Sequence, residues 1–414
     1  MKNIYNIFAL VFIIVLAFSC QNDDGVFDQS ASERKTEAVE EYNNSLLSSE
    51  NGWVLEYFVD DDFAFGGYTY IVKFGEKNNA NVWFDMMANV NTPLSSMYDV
   101  KNYGGPVLSF DTYNVFMHYF ANPNVSEYNA KGGDFEFLIQ NENGDTINVQ
   151  GLKYNKKMRL IKLKETPSSY IKKVQENTTL MTNASFVARQ DGAEIGLKAS
   201  SRRFTFTFTE NDEEKSLTVQ YIITPTGIRL YEDTEINGKM YLNFTFDDNK
   251  ENLVSSDGSL KLQVIIPPID LNQAGWLLNI NGANSRSNKV LNSFIEIYNA
   301  NLNIYGEQRL NPNVLVGAIE LNNGSVLYGI TLQSTPYLAN CNLSFEGVAE
   351  NSEYLNIVKG EGGMNWQFYR HLEPFVDLLT KASPYKLEYD NSDDPTSIKL
   401  ISVNDPDVWF VVNK

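Results

Sequence analysis

DFEFLIQNENGDTINVQ, residues 134–150, holds two apolar/polar alternating runs around an Asn-Gly pair. Strict alternation is the period of a half-buried strand, and Asn143-Gly144 between two such runs is a hairpin signal. Phe135 and Phe137 are expected on the inner face, with Asp134 and Glu136 on the other. The same kind of run recurs on both sides: WVLEYFV from Trp53, GYTYIVKF, ANVWFDM, PVLSF and NVFMHYF before it, and MRLIKL after it. Many short, evenly spaced strands argue for an antiparallel barrel or sandwich rather than a parallel sheet. Phe (25) and Tyr (23) are abundant and favour strands over helices.

Helical spacing appears in four places. Ser30 and Glu33 have capping-box spacing. Behind them Ala38, Val39, Tyr42, Leu46 and Leu47 share one side, and Asn51-Gly52 ends the run. Residues 166–182 are helical in pattern and mark a boundary. A third helix is expected near 287–305, with Val290, Leu291, Phe294, Ile297, Tyr298 and Leu302 inward and Gly306 as its stop. A fourth is expected near 365–381, where Pro374 either kinks the helix or starts it. Strands resume between these stretches, RRFTFTFTE being the clearest, and PYKLEY, SIKLISV and VWFVV finish the chain. The fold class is therefore mainly β (a β-rich α+β chain). Residues 31–180 form a helix plus an antiparallel meander barrel or sandwich, and residues 181–414 a second β-rich region with two helices.

The N-terminus reads differently. Lys2 precedes an apolar stretch from Ile4 to Phe18, shorter than the roughly 20 residues a membrane span needs. Residues 1–19 have the layout of a secretory signal, and 20–30 that of a polar tether. Leu16-Ala17-Phe18-Ser19-Cys20 resembles the bacterial lipobox, which implies that Cys20 becomes a lipidated N-terminus. Asp23 and Asp24 resemble the acidic export signal of Bacteroidota surface lipoproteins. The expected location is the outer membrane, lipid-anchored and facing outside.

A net charge of −19 excludes nucleic acid as a partner, because the chain would repel phosphates. It also excludes charge-driven attachment to anionic lipid, so membrane contact rests on acyl chains. Cys341 is the one other cysteine. It lies in a strand-like run and is expected as a buried structural thiol. His118 and His371 are too far apart for a helical zinc pair, and no Gly-x-Ser-x-Gly elbow or phosphate-binding Gly-Lys-Ser/Thr loop is present. No metal, cofactor or catalytic residue is expected. Asp60-Asp61-Asp62 and Asp390, Asp393 and Asp394 lack calcium-loop spacing and read as solvated turns. The five tryptophans sit in apolar runs and read as core. Asp134 and Glu136 are the one carboxylate pair with possible glycosidase chemistry. His118 is the best local candidate for a binding site. Alternation in NVFMHYF would place it with Phe116 and Phe120, with Asp111 or Asp134 fixing its tautomer.

Leu108 to Asn114, His118-Tyr119-Phe120 and Gly132 to Phe137 resemble the domain of unknown function 4302 family, as do Asn51-Gly52-Trp53 and Gly66-Gly67-Tyr68. The likeness is strongest over 33–165 and returns over Tyr221 to Phe246. It implies a Bacteroidota surface lipoprotein encoded near outer-membrane nutrient importers, and it assigns no catalytic residue. The function expected from the resemblance and the N-terminus is non-enzymatic: binding of a glycan or peptide nutrient, or service to an importer complex. A carboxylate-dependent hydrolase and a structural or adhesion protein are the alternatives.

Overall fold

The computed structural model describes residues 31–59, 65–123, 131–182, 184–200, 202–210, 212–272, 275–306, 309–321, 326–349, 351–391 and 394–414. Cys20 with its signal and tether, Asp60-Asp61-Asp62 and Asp393 lie outside them. The chain divides into two compact units, residues 1–172 and 173–414. Strands dominate both, so the fold is mainly β.

The first unit is a nine-stranded antiparallel sheet. Consecutive strands pair except Leu94–Met97 and Asp99–Asn102, which form the two edges, and Trp53–Phe58 lies at the centre between Gly67–Gly75 and Lys157–Lys162. Helix α1 (Ala31–Leu47) covers one face. Its Val39, Tyr42 and Leu46 join a core with Trp53, Leu55, Tyr57, Tyr70 and Val72. Helix α2 (Pro167–Thr182) begins on the opposite face, where Ile171 packs with Val54, Ile71 and Trp83. Trp53–Phe58 is therefore buried along its whole length, which explains why WVLEYFV does not alternate. Gly52 makes the entry to this strand. Its φ is +88°, and a Cβ there would lie 2.7 Å from the Val72 carbonyl oxygen.

The 134–150 hairpin forms, with one shift. Asn143 pairs with Thr146, so Gly144 and Asp145 are the two loop residues. Gly144 has φ +60°, which suits the first position of a two-residue hairpin loop.

The second unit holds two closed eight-stranded barrels. In the first, Ser185–Gln190 closes against Leu260–Ile265. Its Arg203–Glu210 strand turns Phe204 and Phe206 inward, as alternation requires. In the second, Trp276–Asn279 closes against Trp409–Asn413. Helices α3 (Asn288–Tyr305) and α4 (Glu373–Lys381) share its core, where Phe294 and Phe375 meet edge-on at 5.7 Å. The Ser287 side chain caps α3 by accepting from the Val290 N–H, and Gly306 ends it at φ +63°. Pro374 sits in the first turn of α4, so this helix begins there; single 3-10 turns, Trp366–Phe368 and Arg370–Leu372, precede it.

One expected strand is absent. NVFMHYF (114–120) forms helical turns, with the His118 N–H donating to the Asn114 carbonyl at 2.9 Å. Asn114 is the cause: its Oδ1 accepts from the Phe116 and Met117 N–H groups at 3.0 and 3.3 Å, as a helix cap does. Met117 and Phe120, three apart, then lie in the core with Phe116 packed against it, so the expected split of Phe116, His118 and Phe120 from Met117 does not form.

Candidate functional site

Residues 101–123 and 131–136 build an aromatic face beside a polar strip. Asn114, buried, anchors it through Nδ2 bonds to the Leu94 carbonyl (3.2 Å) and Ser96 Oγ (3.3 Å). The His118 ring follows one turn later. Its Nδ1 lies 3.0 Å from the Asn114 carbonyl oxygen and 3.3 Å from the Asn114 N–H, so either tautomer of the ring finds a partner on the Asn114 backbone. The ring stacks on Phe135 (centroids 4.7 Å, 26°) and meets Tyr113 at 5.2 Å. Tyr113 is 65% exposed, Phe135 and Tyr119 are exposed, and His118 is buried beneath them. Lys131 lies over the Tyr119 ring at 4.6 Å, and Asn122 Nδ2 donates to the Tyr113 hydroxyl at 3.0 Å. The arrangement offers flat apolar faces with polar edges, the surface on which a sugar ring or a peptide side chain stacks.

Asp111 and Asp134 do other work than holding the His118 tautomer. Asp111 pairs with Lys101 at 2.5 Å and accepts from Ser109 Oγ at 2.5 Å; these bonds hold its carboxyl below the usual range. Glu136 accepts from the same Ser109 hydroxyl at 3.1 Å. Asp134, expected on a solvent face, is buried. It lies before the strand Glu136–Asn143, so alternation does not reach it. Its Oδ1 and Oδ2 accept from the Lys153 and Tyr154 N–H groups at 2.7 and 3.2 Å. Its backbone N–H donates to the Tyr57 hydroxyl at 2.7 Å, and that hydroxyl donates to its carbonyl at 2.8 Å. Asp134 and Glu136 thus face different partners, and the geometry gives no support to a paired-carboxylate hydrolase. Gly133 is required here, since a Cβ would lie 2.5 Å from Phe120 Cβ and 2.6 Å from the Tyr57 hydroxyl.

Elsewhere, Cys341 is buried, and burial pushes its thiol up, which suits a structural role. Trp53, Trp83, Trp276 and Trp366 are core residues, while Trp409 is half-buried. Asp390 Oδ1 accepts N–H groups of Asn391, Thr396 and Ser397, and Asp394 pairs with Lys414. Among the described residues, no three His, Cys, Asp or Glu side chains form a group that would hold a metal ion, and no helix is long and apolar enough to cross a membrane. Sequence reading missed Tyr113 and Phe135 as exposed aromatics; the available signal was the turn-forming Asp111-Thr112 and Asn114 around Tyr113. It also missed Asn301 in α3, fully buried, which donates to Ser334 Oγ at 3.1 Å and lies 3.0 Å from His371 Nε2.

Both histidines are held below the ordinary value of 6.5, chiefly by burial; at His118 the Asn114 carbonyl opposes the shift. A histidine with a lowered folded pKa binds fewer protons than the unfolded chain does. Its contribution to stability is complete above the unfolded value and is lost as pH falls through the folded one. The melting temperature is expected to fall between about pH 7 and pH 5. The double variant His118→Gln/His371→Gln should flatten that slope in a pH series of thermal melts.

A β-sheet unit bearing an exposed aromatic face, joined to a unit of two barrels, is the class of protein these observations define. The chain belongs to the family described as Domain of unknown function (DUF4302), whose model matches residues 23–248. No curated protein matches it. Solved structures that align include the β subunit of DNA polymerase III from Thermotoga maritima (9% identity, 92% of this chain and 97% of that one, TM-score 0.11). Transferrin-binding protein B from Haemophilus parasuis also aligns (9% identity, 87% and 74%, TM-score 0.12). At such TM-scores the likeness carries no argument.

Proposed function

We propose that this is a lipoprotein of the outer membrane, anchored through Cys20 and facing outside, which captures a glycan or peptide nutrient for an importer. The face of Tyr113 and Phe135, with His118 beneath it, is the binding surface. The observation that carries this reading is the exposure of Tyr113 and Phe135, both packed on the buried His118 ring, in the segment where the family likeness is strongest. The tethering is read from the sequence: a short apolar signal ending in Leu-Ala-Phe-Ser-Cys and a polar linker.

One experiment separates anchor from binding face. Cells expressing the full chain are incubated with labelled polysaccharides and peptides and then fractionated. The wild type should retain label in the outer membrane. Cys20→Ala should leave the membrane fraction without protein and without label. Tyr113→Ala/Phe135→Ala should stay in the membrane and bind at least roughly tenfold more weakly, about 1.4 kcal/mol. Undiminished binding by the double variant would remove the aromatic face from the account, and membrane retention of Cys20→Ala would remove the anchor.

A further inference from the structure

The second barrel carries a cavity outside the segment the family model covers, and the geometry points to it as a binding pocket for a neutral sugar ring. The cavity measures about 410 Å³ and is lined by Arg286, Ser287, Asn288, Lys289, Asp407 and Trp409 together with Ala283. That is within the roughly 300–1,000 Å³ range of small-molecule sites. The inference does not rest on the aromatic face of the first unit.

Three observations converge. The first is Trp409, half-buried where the other four tryptophans are buried. It opens the strand Trp409–Asn413, whose Phe410 and Val412 point into the core while Trp409 stays on the outer wall. Lys399, which is not a wall of the cavity, lies over the indole at 5.0 Å. Lys399 covers one face of the indole, and an indole at the wall of a polar cavity offers apolar surface for the C–H groups of a pyranose.

The second is the set of polar groups around that ring. Arg286 donates from Nε to the Ile280 carbonyl at 3.0 Å, which fixes the guanidinium and leaves its Nη donors for other partners. The exposed amide of Asn288 supplies donors and an acceptor, and Asp407 supplies two acceptor oxygens. Hydroxyl groups, which both donate and accept, match such a mixed set better than a ligand of one polarity does. The charges balance: Lys289 sits 2.8 Å from both Asp405 oxygens and 3.7 Å from Asp407, and Arg286 is the second cation. Asp405, outside the walls, neutralises Lys289, and Glu388 pairs with the neighbouring Lys399 at 3.7 Å, so the walls are left with Arg286 against Asp407 and a neutral ligand fits.

The third is preorganisation. The segment before α3 is held to the tryptophan strand by backbone bonds, Ser287 N–H to the Trp409 carbonyl (2.9 Å) and Val411 N–H to the Ser285 carbonyl (2.8 Å). Arg286 pairs with Phe410 as an isolated bridge. The walls thus hold their spacing without a ligand.

The test uses intrinsic tryptophan fluorescence of the full chain in detergent, titrated with glucose, galactose, mannose, maltose, cellobiose and lactose. Trp409 is the half-buried indole that lines this cavity, so loss of the signal in Trp409→Phe assigns it to this cavity rather than to the first unit. At least one sugar should give a saturable shift that survives Tyr113→Ala/Phe135→Ala. Asp407→Asn and Asn288→Ala, exposed changes that leave the core intact, should weaken it at least roughly tenfold, and Trp409→Phe should abolish the optical signal while calorimetry still detects weakened binding. Absence of a saturable shift with every sugar, or titrations of Asp407→Asn and Asn288→Ala that match the wild type, would overturn the inference. Loss of the shift in Tyr113→Ala/Phe135→Ala would instead place the sugar on the first unit's face and overturn it too.

Discussion

Trp53→Ala lowers the stability of the first unit by about 4 kcal/mol, the range for emptying a buried tryptophan site. The side chain is 1% exposed and sits where α1 meets the central strand. Its register partners are Val72 on one side and Lys162 on the other, so its strand cannot shift to fill the space. The indole Nε1–H also donates to the Leu46 carbonyl at 2.8 Å, in the last turn of α1. A helix end leaves such carbonyls without intrahelical donors. Truncation therefore opens a cavity and strips a partner from the end of α1. Hydrogen exchange on the full chain reads the unit directly. Amides of Val54 to Phe58 should exchange about a thousandfold faster, the equivalent of about 4 kcal/mol. Trp53→Phe keeps a large ring and loses the bond to Leu46, and should cost about 1–2 kcal/mol. Unchanged exchange in Trp53→Ala would show that α1 and the central strand do not depend on this contact.

Asp134→Ala should cost about 3 kcal/mol, because it removes a charged acceptor from two backbone N–H groups at once. The carboxylate pins the loop after Thr146–Gly151 by holding the Lys153 and Tyr154 amides, while its own backbone is clasped by the Tyr57 hydroxyl. Gly151 is packed against it so closely that a Cβ would lie 2.2 Å from Asp134 Oδ2. Asp134→Asn retains one acceptor oxygen and should fall between the variant and the wild type. Urea unfolding followed by hydrogen exchange in residues 151–156 measures the loss. A carboxylate serving chemistry in an open cleft would show little change in stability on substitution. An Asp134→Ala chain as stable as the wild type would therefore return this residue to the list of candidate acids.

What was legible in the sequence follows from local physics. The hairpin around Gly144 is written in alternation and one glycine. Helix α3 is written in a Ser287 cap, a 3.6-residue apolar stripe and Gly306. The start of α4 is written in Pro374. The candidate site was legible in part. His118 stands out in the sequence, yet its surroundings do not follow from alternation because Asn114 turns an alternating run into helical turns. That competition between a side-chain cap and a strand ladder is decided by which partners are nearby, here Leu94 and Ser96 from a distant strand. Asn301 was missed because a polar residue within an apolar stripe gives no sign that Ser334 and His371 wait for it across the core.

Sequence alone determined the mainly-β character, the places of the helices and the family, since these rest on contacts between residues close in the chain. Tertiary structure alone decided that Trp53–Phe58 is covered on both faces, that the second unit closes into two barrels, and that Asp134 is clamped rather than displayed. Each depends on residues far apart in sequence, such as Ser185 against Ile265 or Tyr57 against Asp134. Periodicity fixes which way a side chain faces along its own strand, but what stands opposite is set by how the whole chain closes its hydrogen bonds and fills its core.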